Sequence, residues 1–185
     1  MATPRIAPGG FRELGPVNYA LCRVAGRVVG GPPPHVFTTL GRQRGLFRAW
    51  LWFSGRLMPG GRLPRRDTEL VILRVATLRA CDYELNHHRR IGRRVGLSTD
   101  EVGHVDDATW SGYSDRQRLL LEAATQLVET DDLDDALWAR VRSQLDEPTT
   151  IELVMLVGQY DSLATTLMTL RVQPEDRASS SSAFR

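Results

Sequence analysis

The sequence contains no lysine: all 24 of its basic residues are arginines, a bias assigned to genomic composition and given no functional weight. Against 22 acidic residues, the formal net charge is only +2. That is too small to argue for nucleic acid or an acidic membrane surface as a partner. Cysteine is scarce. Cys22 and Cys81 exclude a framework of disulfides, although they leave room for one bridge. Long hydrophobic runs are absent, and the stretch from Leu153 to Val157 falls far short of the roughly 20 apolar residues that span a bilayer. The N-terminal residues Met1 to Gly10 lack the apolar core of a secretory signal, so a cytoplasmic, reducing location is the expectation. No β-hairpin pattern, βαβ unit or convincing internal repeat is evident.

What is present is apolar residues at helical spacing. A hydrophobic fraction of 42% suits a globular core, and the fold expected is all-α. Residues 1–15 are expected to form a mobile arm, broken by Pro4, Pro8, Gly9 and Gly10. A single helical domain is expected over residues 16–172, and a disordered polar tail, with its serine run at 179–182, over 173–185. Helices are read at about 16–29, 35–57, 67–78, 82–95, 115–129, 131–145 and 148–170, with a short one opened by the capping-box spacing of Ser98 and Glu101. The segment from Asp67 to Leu78 is apolar over a wide face, which places it centrally. Its β-branched residues also allow a strand, but its length and acidic first turn favour a helix.

The chemistry concentrates after that segment. Positions i, i+3 and i+7 stack on one stripe of a helix, and Cys81, Glu84 and His88 have that spacing. Cys81 falls at the helix start, where free N–H groups and the helix dipole favour a thiolate. Glu84 and His88 lie one turn apart and can share a proton as general acid and base. Glu69 reaches the same face if the two helices form an antiparallel hairpin. The same spacing also suits a buried structural Cys81 beside an ordinary Glu–His surface pair. His87 is an alternative imidazole, and Glu84, His88 and His104 are an alternative metal set, although no HExxH or paired Cys/His motif is present. The arginines at 89, 90, 93 and 94 read as a solvated face or an electrostatic lure for an anionic substrate.

The stretch from Pro64 to Leu78, then Cys81-Asp-Tyr-Glu-Leu-Asn-His-His88, then Gly96-Leu-Ser98, resembles the carboxymuconolactone decarboxylase family. That superfamily also holds the alkylhydroperoxidase D proteins. The likeness continues through Gly158 to Leu163 and covers about residues 35–172. It implies an all-helical, alkylhydroperoxidase D-like domain with a central antiparallel helix hairpin. It also implies a homo-oligomer, typically a trimer or hexamer, with pockets near subunit contacts. The hydroperoxidase branch resembles Glu-x11-Cys-x-x-Cys-x-x-x-His, onto which Glu69, Cys81 and His88 fall. Its second, peroxide-attacking cysteine is replaced here by Glu84. A dithiol cycle within this helix is therefore impossible. The Tyr-Glu-x-x-His-His form is more similar to the decarboxylase-type branch.

The resemblance thus implies a lyase acting on a small organic acid or lactone. Glu69, Cys81, Glu84 and His88 would be its catalytic residues and Tyr83 and His87 its substrate contacts. No cofactor, metal, nucleic acid or membrane is implied. A peroxidase using Cys81 alone, and a helical oligomer that binds a ligand without turnover, are the competing expectations.

Overall fold

The computed structural model describes residues 3–29 and 31–175. Its described residues are helical, with no strand among them. None of these helices is long and apolar enough to cross a membrane. The described residues form two compact units, one before Ser54 and from Leu167 to residue 175, the other from Ser54–Thr166.

In the first unit, α1 (Phe11–Val29) starts inside the expected arm. Gly15 interrupts it at φ 72°, a left-handed conformation that suits glycine, and Pro16 then restarts the helix where the sequence predicts it. The segment before it is tied down, with the Arg5 N–H donating to the Leu170 carbonyl at 3.0 Å and Gly9 to Thr38 at 2.9 Å. The single helix expected over 35–57 is two, α2 (His35–Leu40) and α3 (Arg44–Leu57). The buried Asn18 amide donates to the carbonyls of Gly41, at 2.9 Å, and Arg44, at 3.3 Å, between these helices. A Cβ on Gly41 would lie 2.6 Å from the Phe37 carbonyl oxygen, so the turn requires glycine. Leu14, Cys22 and Phe47 form the core here, with Phe37, Leu40 and Trp50 packed on it. Past α9, the Gln173 carbonyl lies 2.8 Å from His35 Nδ1. The expected tail beyond residue 175 lies outside the described residues.

The second unit is organised by α4 (Arg65–Leu78), whose residues from Asp67 to Ala76 are all buried. The wide apolar face read from the sequence predicts this central place. α5 (Asp82–Arg94) returns antiparallel beside it after a tight turn in which Ala80 takes φ 50° and the Cys81 N–H bonds to the Ala76 carbonyl. Gly92 makes room for the segment after α5 to fold back: a Cβ there would lie 2.9 Å from a Leu97 methyl, while the 3.5 Å to a Leu73 methyl of α4 is ordinary contact. Gly96, at φ 99°, follows the C-cap Val95 and closes α5 in a left-handed conformation. α6 (Thr99–Gly103) and α7 (Asp115–Thr130) each open with a full capping box, Ser98 with Glu101 and Ser114 with Gln117. α8 (Asp135–Gln144) starts later than predicted. Asp131 takes the left-handed C-cap of α7, and Asp134 is the true N-cap, accepting from the Leu137 N–H. α9 (Glu147–Leu170) follows. Leu70, Leu73, Leu97, Val102, Tyr113 and Leu121 form a core beneath α4. Arg116 pairs with Asp67 at 2.8 Å and ties α7 to α4, while Arg79 pairs with Asp161 and ties the end of α4 to α9.

Candidate active site

The four expected catalytic residues and the two expected substrate contacts all lie in the second unit, and the hairpin brings Glu69, Glu84 and His88 into one chain of contacts. Glu69 faces α5 from α4 and is fully buried. His88, one turn before Gly92 on α5, places Nδ1 2.6 Å from Glu69 Oε2 and Nε2 3.1 Å from Glu84 Oε2. Both ring nitrogens thus face carboxylate oxygens, an arrangement satisfied by an imidazolium donating from each. Burial works against a charge on this ring. The Glu69 and Glu84 carboxylates outweigh it, and the His88 pKa is raised to about 9. At neutral pH the array therefore holds a proton between two acids.

Two further residues complete the cluster, and sequence reasoning missed both. Arg65, i–4 from Glu69 on α4, sets its guanidinium against Glu69 Oε1, an ion pair without an aligned hydrogen bond. Its spacing from Glu69 was visible in the sequence. Tyr160 on α9 meets the His88 ring edge-on at a centroid distance of 5.2 Å. It lies in the Gly158 to Leu163 stretch that carried the family likeness, but no local pattern shows which ring it faces. Burial, and then the negative charges of Glu84 and Glu69, push the Tyr160 hydroxyl well above its usual pKa, so it remains a hydrogen-bond donor.

Cys81 is the N-cap of α5 and is buried, as the hairpin turn requires. Its thiol pKa is raised, against the thiolate expected at a helix start. Burial is the main cause, and the neighbouring charges of Glu84 and Asp82 add to it; the N–H groups of Glu84 and Tyr83 oppose the shift without reversing it. Cys22 is also a free, buried thiol.

The structure separates the two adjacent histidines. His88 meets the acids, whereas His87 stacks on Tyr83 at 4.5 Å, with its Nδ1 3.4 Å from an Arg90 nitrogen. Tyr83 and His87 thus share a neighbouring stripe of α5. His104 of the alternative metal set stacks on Trp110 at 4.3 Å and lies 2.8 Å from the Asp100 carbonyl. Among the described residues no group of three or more His, Cys, Asp or Glu side chains is placed to hold a metal ion. A surface groove of about 520 Å³, lined by Arg118, Leu119, Glu122 and Arg140 among others, includes none of the cluster residues.

Residues 44–126 match the sequence model of the carboxymuconolactone decarboxylase family. No curated protein matches the sequence significantly. Among solved structures, an alkylhydroperoxidase D core, peroxidase-related protein from Ralstonia eutropha is similar at a TM-score of 0.85 and 18% identity, covering 95% of this chain and 94% of that one. A peroxidase-related protein from a Silicibacter species has a TM-score of 0.82 and 15% identity over 95% of each chain. A cysteine-to-alanine variant of the debrominase Bmp8, in complex with 2,3,4-tribromopyrrole, has a TM-score of 0.78 and 18% identity, covering 95% of this chain and 93% of that one. At these identities the likeness establishes the fold.

Proposed function

From the match of residues 44–126 to the carboxymuconolactone decarboxylase family and the alkylhydroperoxidase D-like fold, we propose that this chain is an acid–base enzyme of that family acting on a small organic acid or lactone. The observation that carries this reading is His88 held between Glu69 and Glu84. In a decarboxylation the bond between the α-carbon and the carboxylate breaks, carbon dioxide leaves, and the electron pair stays behind as an enolate. That carbon must then take up a proton. Glu84, recharged by the His88 imidazolium, delivers it; Glu69 holds the ring charged, and solvent restores the proton. In this scheme Cys81 supports the turn and orients Glu84 rather than attacking.

The test is release of carbon dioxide from γ-carboxymuconolactone-type acids by the purified protein, compared with His88→Ala and Glu84→Gln. Loss of about two to four orders of magnitude in turnover is expected for each, the usual weight of a general acid. Equal turnover in all three proteins would remove the assigned roles.

A second reading uses Cys81 as a redox thiol. It draws on the sulfur's place among the α5 N–H groups and on the peroxidase-related and debrominase folds among similar structures. The raised thiol pKa and the glutamate at position 84 weigh against it. Self-association is proposed as well, since Val17, Leu21, Val24 and Val28 recur at heptad-like intervals on α1 and are exposed. Light scattering of wild type against Val24→Glu tests it, a lower mass being expected for the variant.

A further inference from the structure

We infer that Arg65 and Tyr160 form a subsite that seats a carboxylate of a small organic-acid substrate beside His88. The inference rests on the proton-transfer reading and names the group through which its substrate docks.

Arg65 carries the first argument. One of its guanidinium nitrogens lies against Glu69, while Nη1 is shut off from solvent and has no hydrogen-bond partner. A buried guanidinium N–H without an acceptor is rare, and the group is a planar fork shaped for a carboxylate. The Arg65 side chain is 32% exposed, whereas those of Glu69, Glu84 and His88 are at most 8% exposed. Arg65 is therefore the cluster member that an arriving molecule meets. A turn of the part-exposed Arg65 fork would present the unfilled Nη1 to the anion, while the other nitrogen stays against Glu69.

Tyr160 carries the second. Its hydroxyl is buried, and the partner it is seen to donate to is the Met58 sulfur at 3.2 Å, a weak acceptor. Arg65, Glu69 and Glu84 all act on this hydroxyl electrostatically, so it belongs to the same cluster. A carboxylate or enolate oxygen is a stronger acceptor than a thioether and would draw the hydroxyl to itself.

The charge balance permits an anion. The cations Arg65 and His88 match the carboxylates of Glu69 and Glu84, so an incoming carboxylate meets a neutral cluster with donors to spare. Pro64, the N-cap of α4, offers no side-chain acceptor, and the opening N–H groups of that helix add positive potential beside Arg65.

The experiment measures binding of acetate, benzoate and muconolactone, each against its methyl ester, by calorimetry and by the ¹⁵N shifts of the His88 ring. The expected result is saturable binding of the acids, about tenfold or more tighter than the esters, with a His88 shift. Arg65→Met removes that preference, Arg65→Lys keeps part of it, and Tyr160→Phe weakens the acids while leaving the esters unchanged. Wild-type discrimination and Tyr160→Phe keep the test valid should Arg65→Met fail to fold. Equal binding of acid and ester by wild type, no saturable binding of any acid, or an intact preference in a folded Arg65→Met would each overturn the subsite. Carboxylate binding without turnover leaves the subsite standing and removes only the decarboxylation reading. Turnover of a lactone acid that does not depend on Arg65 removes the subsite and keeps that reading.

Discussion

The Nδ1 of His88 and the Oε2 of Glu69 lie 2.6 Å apart, both side chains buried, and this bond joins α5 to α4 at the centre of the second unit. In the proposed reaction one contact serves both stability and chemistry: the proton that the array holds also links the hairpin. The predictions below follow from that dual role and from the packing around it.

The first concerns pH and stability. The folded His88 pKa is raised to about 9, above the roughly 6.5 of an unfolded chain. Its contribution to stability is therefore complete below about pH 6.5 and is lost as pH rises through about 9, on the order of 3 kcal/mol in all. Urea unfolding at pH 6 and pH 9.5 should show the drop in wild type, and His88→Gln should lack it. A wild-type midpoint unchanged over this range would contradict the assignment. Turnover through the imidazolium should fall over the same upper limb.

The second concerns Glu69. Its removal by Glu69→Ala leaves the His88 ring and the Arg65 guanidinium without their buried counter-charge. Breaking such a pair costs about 3–5 kcal/mol, and Glu69→Gln, which keeps a hydrogen-bond acceptor, should cost less. In both variants the His88 titration, followed by NMR, should move down in pH. A His88 midpoint that stays where it was in wild type would show that Glu69 is not what holds the ring charged.

The third separates the two chemical readings at Cys81. Burial and the nearby acids raise its thiol pKa, so alkylation by iodoacetamide at pH 7 should be slower in the folded protein than in urea. Cys81→Ser should keep decarboxylase-type turnover within about tenfold, a supporting rather than a proton-transferring role. Rapid alkylation in the folded state, with sulfenate trapped after peroxide, would favour the thiol enzyme instead.

The fourth tests the helix hairpin. A Cβ at Gly92 must push aside the Leu97 methyl and fills the space up to Leu73, both of which are core residues. Gly92→Val adds a β-branched group at this approach and should destabilise by about 1–3 kcal/mol, the usual cost of overpacking. Activity should fall further than stability alone explains, because the added γ-methyls press toward the Glu69 Cβ, 3.8 Å from a Cβ at this position, and shift Glu69 against His88. Thermal unfolding together with turnover well below the midpoint would show both effects, and full activity in a folded Gly92→Val would show that the close approach does not set the site.

Much of the site was legible because it is local. Glu84 and His88 lie one turn apart on a single helix, and helical geometry alone puts them within reach. Glu69 needed only the assumption of a hairpin. The break between α2 and α3 was not legible, since Phe37, Leu40, Phe47 and Trp50 keep spacing compatible with one helix. The interruption takes its partner from elsewhere, in the Asn18 amide that binds the Gly41 and Arg44 carbonyls from α1. The start of α8 was missed for a different reason. Several aspartates suit a helix start, and only the backbone shows that Asp131 ends α7 while Asp134 begins α8.

The sequence by itself determined the helical periodicity, the caps and the Cys81–Glu84–His88 stripe, because these depend on residues within a few positions of one another. Tertiary structure alone decided the state of those groups. It set His88, to which the family pattern already pointed, against Glu69, and it brought Tyr160 from α9 to the ring edge. It also raised the Cys81 pKa by burying a thiol that the helix start would otherwise activate. The physical reason is that protonation depends on desolvation and on charges from several helices. Those surroundings exist only once the helices have packed.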